Sequence, residues 1–164
     1  MEQSVLEYYS PNRKDFVQPY CFDPFGIVRR TYSPYASSES NGSYKNQVIQ
    51  AQQEFYLSAS LVAHTQYPYG ETEFESSPLM KGVEFSAPGY TWNMAQNNTV
   101  KSEYLFNKQS SDGYIRIWYI SQDKNSCYSN DSYQDNQLTV TVLRDENSGT
   151  GTSGSTTKFF SDFT

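Results

Sequence analysis

The sequence predicts an all-β fold, an antiparallel β-sandwich or jelly roll. Three observations carry that expectation. Apolar and polar residues alternate with a period of two in several short runs. No window of 11–18 residues shows a helical period. Gly, Pro, Asn, Asp and Ser punctuate the chain between the runs, as turn chemistry requires.

The elements follow in chain order. Residues 1–44 hold Pro11, Pro19, Pro24 and Pro34 among many Tyr and Phe, and read as an extended arm that cannot bury its aromatics alone. Residues 45–144 read as the sandwich domain. Its first strand is expected in "QEFYLSASLVAH", with Phe55, Leu57, Ala59, Leu61 and Ala63 on one face and His64 on the other. "YPYGETEFESSP" (67–78) reads as a loop carrying Glu71, Glu73 and Glu75. "GVEFSAPGYTWNM" predicts strand, turn and strand, and "TVKSEYLF" (99–106) predicts another strand. "NKQSSDG" (107–113) is a turn, and "GYIRIWYIS" (113–121) a strand. In "QLTVTVLR" (137–144), Leu138, Val140 and Val142 point inward while Thr139, Thr141 and Leu143 point outward. Residues 145–164 open as a Ser/Gly/Thr linker and close on "KFFSDFT", where Phe159, Phe160 and Phe163 form an aromatic anchor suited to a partner's groove.

Composition narrows the function. The chain has 164 residues, one domain's worth, and a net charge of −6. Residues 1–82 and 83–164 each hold six Lys/Arg and nine Asp/Glu, so no basic stripe exists to track phosphates or an anionic membrane. Nucleic acid is not expected as a partner, and no apolar run is long enough for membrane insertion. The start, "MEQSVLEYYS", has neither the basic nor the apolar region of a signal peptide. A virion, or an extracellular assembly freed by release, is the expected location, otherwise the cytoplasm. Fifteen tyrosines and ten phenylalanines supply contact area at little rotamer cost. Cys21 and Cys127 are too few and too isolated to define a disulfide framework.

Catalytic patterns are missing. His64 is the one histidine, and neither a nucleophile elbow nor a phosphate-binding glycine loop accompanies it. The chain is therefore not expected to be an enzyme.

One stretch, "SQDKNSCYSNDSYQDN" (121–136), gathers Asp123, Asn125, Asn130, Asp131, Asp135 and Asn136 between two strands. Oxygen donors at this density suit Ca²⁺. They equally suit a plain turn, since Asx side chains bond their own backbone. Residues 113–144 resemble the C-terminal hairpin of the galactose-binding jelly-roll lectins of the bacterial PA-IL type, on the strand, the Asx-rich loop, the "DN" pair and the alternating strand that follows. The resemblance implies a loop that holds Ca²⁺, with Asp123, Asp135 and Asn136 as ligands beside Asp131, and an ion that binds sugar hydroxyls. Trp92 and Trp118 could stack on sugar rings.

Two functions are thus expected. The first is a non-enzymatic structural subunit of a larger assembly, such as a phage or virus particle or tail. It would contact other protein subunits, in a homo-oligomer or a hetero-assembly, through its two ends. The alternative is a calcium-dependent carbohydrate-binding module whose partner is a glycan.

Overall fold

The computed structural model describes residues 2–148 and 154–162. The fold class is the expected one: all-β with antiparallel sheets of the sandwich class, and little helix. The main sheet runs in the order β1 (Glu2–Leu6), β2 (Phe16–Phe22), β3 (Val28–Tyr32), β5 (Tyr69–Phe74), β6 (Gly82–Ser86), β7 (Val100–Phe106), β10 (Thr139–Arg144), β11 (Thr156–Ser161). A short strand, β4 (Tyr35–Ala36), also pairs with β2. β8 (Arg116–Ile120) and β9 (Cys127–Ser132) form a separate hairpin, inserted in the chain between the neighbours β7 and β10.

Register divides the main sheet into two faces, because side chains directly opposite each other share a face. Val17 pairs with Tyr35, Tyr32 with Tyr69, Glu103 with Val142 and Leu105 with Val140. Tracing these pairs across the sheet puts the buried Val17, Tyr32, Tyr35, Val140 and Val142 on one face, the inner one. An α-helix, α1 (Val48–Ser58), covers the β1–β4 end of that face. Val48 joins Val17 and Tyr35 in the core, flanked by Val5, Ile49, Ala51, Phe55 and Tyr56.

α1 replaces the strand expected there. Its inward residues Val48, Gln52, Phe55 and Tyr56 fall at i, i+4, i+7 and i+8, a helical stripe with one polar member. Gln52 is fully buried, and its Nε2 donates to the carbonyls of Ser33 (3.0 Å) and Pro68 (2.7 Å). A core glutamine hides the helical period from a count of apolar residues. Beyond the helix, His64 is exposed, 3.2 Å from the Ala59 carbonyl.

Other segments also depart from expectation. Residues 1–44 are not an arm. They supply β1–β4 and two core side chains, because Val17 and Tyr35 need α1 as a lid. The loop expected at 67–78 contains β5, whose Glu71 turns inward to meet Arg30 at 3.0 Å. The second strand expected after Pro88-Gly89 is a 3₁₀ turn, Met94–Gln96, capped by the Asn93 side chain on the Ala95 N–H. The 107–113 turn includes a one-turn helix, α2 (Gln109–Asp112). The start of the 145–164 linker closes on itself, with the Asp145 carboxylate accepting from Ser155 N at 2.8 Å. The chain then returns as β11 beside β10.

Two buried polar clusters fix the sheet's ends. At one end Lys45 Nζ meets Asp15 (2.7 Å), Glu39 (3.2 Å) and the Asn41 Oδ1 (2.6 Å), while Asp15 also accepts from the Gly42 N–H at 2.8 Å. The Lys45 bond, with the backbone donors, holds the Asp15 carboxyl below its ordinary value of 3.8 against the opposing effect of burial. Burial opposes the Lys45 charge, yet its two carboxylate partners hold its pKa above the ordinary 10.5. At the other end the buried Asn107 side chain donates to Gln134 O (2.9 Å) and accepts from Leu138 N (2.8 Å), clamping β10 to the end of β7.

Candidate interaction surface

The inner face carries the charges of β5–β11. Glu73, Glu84, Lys101 and Arg144 lie in one cross-strand row, and Glu103 and Lys158 flank Val142 in the next that register assigns. Arg144 makes a two-pronged pair with Glu103 (3.2 Å for its second prong), Lys101 lies 3.9 Å from Glu84, and Lys158 Nζ sits 2.5 Å from Asp112. The Lys158 bond, with the Lys108 N–H, lowers the Asp112 carboxyl below its usual range.

The outward face of the same strands reverses the usual order. Its rows read Thr72–Phe85–Val100, Ser102–Leu143–Thr157, Tyr104–Thr141–Phe159 and Phe106–Thr139–Ser161. None of these is a charged residue. Phe85, Val100, Tyr104, Phe106 and Phe159 are 37–53% exposed. Lys81 lies at the margin, 4.4 Å from the centre of the Tyr104 ring. A sheet face turned to water is ordinarily polar. Here salt bridges face inward, and Phe85, Tyr104, Phe106 and Phe159 face outward.

The expected partner anchor divides between the two faces. Phe159 joins the outward rows, Phe160 lies opposite Val140 on the inner face, and Phe163 falls outside the described residues. The other outward residues were missed because strand alternation does not say which face is covered.

A groove of ≈ 700 Å³ opens on the inner face over β7 and β10. Leu105 lines it over a floor of the buried Val140 and Val142, and the Arg144–Glu103 and Lys158–Asp112 pairs border it. The wall includes Lys108, Ser111 and Asp112 of the segment that leads into the hairpin.

The hairpin spreads the Asx-rich stretch along its length instead of closing it into one loop. Asp123 sits in the tip turn, accepting from the Ser121 hydroxyl and from Asn125 N at 3.2 Å. Those bonds, the hydroxyl's first, pull its carboxyl below the usual range. Asp131 lies on β9, 3.5 Å from the Tyr119 hydroxyl. Asp135 stands at the base, accepting from Gln109 N at 2.8 Å, and Asn136 follows with a left-handed backbone, φ 64°. Among the described residues no three His, Cys, Asp or Glu side chains gather within reach of one metal ion. Trp92 lies in the β6–β7 connection and Trp118 on β8, in different parts of the fold. A register shift sets Trp118 opposite Ser129 and Asn130, a bulge that aims its indole outward. Both cysteines are free; Cys21 is half-buried in β2 and Cys127 exposed on β9.

The family described as Domain of unknown function (DUF6443) matches residues 1–106. The chain belongs to that family. No curated protein and no solved structure matches it. The DUF6443 segment ends at Phe106, the last residue of β7, so it contains β1–β7 and α1. The hairpin, β10 and β11 lie beyond it. The outward patch crosses that boundary, drawing Phe85, Val100, Tyr104 and Phe106 from the DUF6443 segment and Phe159 from β11. Among the described residues no helix is long and apolar enough to cross a membrane.

Proposed function

We propose that the protein is a structural subunit of a larger protein assembly, acting by docking and not by catalysis. The carrying observation is the uncharged, aromatic outward face of β5–β11. Contiguous apolar surface of this kind marks an interaction site. Its aromatic, charge-depleted make-up is that of an interface centre. The total surface supports the reading. At 11097 Å² it exceeds by about a third the roughly 8,300 Å² expected of a compact monomer of 18.8 kDa.

Native mass spectrometry tests this. The wild-type chain should form a defined oligomer, and Phe159→Glu should shift it toward monomer while the circular dichroism spectrum stays unchanged. A chain that remains monomeric at about 100 µM would defeat the proposal, since an interface of the standard size holds far below that concentration.

A further inference from the structure

Lys45 is a buried primary amine with more around it than an ion pair needs. Its side chain is 5% exposed and that of Asp15 is fully buried, with Lys45 Nζ 2.7 Å from Asp15 Oδ2. Nζ also donates to the Asn41 Oδ1 at 2.6 Å. A carbonyl bond adds about 1.2 Å, so Nζ lies no more than about 3.8 Å from the Asn41 Cγ, close to the 3–3.5 Å at which reacting atoms stand. The same Oδ1 accepts from the Ser43 hydroxyl at 2.7 Å and from the Ser43 N–H at 3.2 Å. A nucleophile, a base, a carbonyl carbon and two oxyanion donors thus meet around one amide. Asp15 does not depend on Lys45 alone, because it accepts from the backbone N–H groups of Gly42 (2.8 Å), Asn41 (3.1 Å) and Tyr8 (3.4 Å). Asn41 itself is exposed, on the wall of a cavity of ≈ 370 Å³ that gives a leaving group its way out.

We propose that Lys45 and Asn41 join in an intramolecular isopeptide bond. Lys45 Nζ passes a proton to the Asp15 carboxylate, and the free amine attacks the Asn41 Cγ. The Ser43 donors hold the oxyanion that forms on Oδ1. Asp15 then gives its proton to Nδ2, the Cγ–Nδ2 bond breaks, and ammonia leaves. The new amide nitrogen sheds its second proton to the ammonia, so one ammonium replaces another and no further reactant is consumed. Burial favours the first step, since moving the proton from ammonium to carboxylate removes two charges from a site shielded from water. Against that burial, Asp15 and Glu39 keep Lys45 charged at rest, so the bond forms slowly, but each chain forms it only once. The product is a neutral amide, and Asp15 keeps its three backbone donors. The bond staples the turn at Gly42, which wraps Asp15 and leads into α1. It is independent of the outward face and of any oligomer.

Mass spectrometry of the full chain and of its tryptic peptides tests the bond. The wild-type chain should be lighter than its sequence by one ammonia. Trypsin does not cut after an acylated lysine, so the denatured chain should yield residues 31–81 as one peptide, uncut after Lys45 and one ammonia light. Asn41→Ala should carry the full mass of its own sequence and regain the cut after Lys45. Its circular dichroism spectrum should match the wild type, because Asn41 is exposed. Lys45→Arg, which lacks the nucleophilic amine, should also carry its full mass. A wild-type chain that keeps its full sequence mass after prolonged incubation in mildly alkaline buffer would overturn the proposal. So would an ammonia loss confined to residues 31–45 with the cut after Lys45 intact, which marks a succinimide at Asn41-Gly42 instead. An ammonia loss that persists at the 41–45 turn in Lys45→Arg overturns it in the same way.

Discussion

The two ends of the main sheet solve the same problem differently. At the β1–β4 end, α1 closes over Val17 and Tyr35, and a buried Lys45–Asp15 pair ties down the loops around them. At the β7–β10–β11 end, among the described residues, no long helix lies over the inner face. Val140 and Val142 are sheltered by their neighbours in the sheet and by the 107–113 and 134–138 segments, which Asn107 ties together. Tyr104, Phe106 and Phe159 of this end turn outward, while Phe160 lies on the inner face. The first end is finished within the chain. The second has its charges neutralised and its apolar surface displayed, which is the preparation an interface requires.

The largest effect should come from the open end's clamp. Asn107→Ala leaves the buried Leu138 N–H without its acceptor and releases Gln134 O, costing about 2–4 kcal/mol. Hydrogen exchange should quicken in β10 well before α1 responds, because the two ends share no lid. Simultaneous opening of both would break the comparison. Val17→Ala attacks the covered end and should cost about 2 kcal/mol by chemical denaturation, from a cavity under α1 that the helix cannot refill. Acidification acts on the covered end next. The Asp15 carboxyl is held below its ordinary 3.8, so its contribution is complete above that value and is lost as pH falls through the lowered one. A melting series from pH 5 to pH 2 should show a falling Tm, and Asp15→Asn should flatten its slope. The smallest effect belongs to the outward face. Phe85→Ser should change stability by less than about 0.5 kcal/mol, because that ring is not core. A larger loss in the Phe159→Glu monomer would mean the face is already covered within one chain.

Legibility in the sequence follows the same division. β10 is readable because Leu138, Val140 and Val142 are apolar and inward while Thr139 and Thr141 are not. β7 is readable as a strand, but not as a strand whose aromatics face out. α1 is hidden by Gln52, a polar residue in an apolar position, and β5 by Glu71, a charge turned inward to arginine. In each case a buried partner, distant in sequence, cancels the polarity that a local pattern relies on. The same effect conceals the candidate surface. Phe159 and Trp118 stand out by type alone, whereas Phe85 and Val100 become part of a site only when register places them together.

The insertion of a hairpin between two neighbouring strands also sets a schedule for synthesis. β7 is complete at Phe106, but its neighbour β10 is complete only at Arg144, 38 residues later. At ribosomal rates of about 5–20 residues per second, the β7 edge stays unpaired for roughly 2–8 s. β8 and β9 close on each other within about 1–10 µs of emerging, long before β10 arrives. The insertion thereby becomes a self-contained parcel, and the waiting edge is kept for the strand that belongs there.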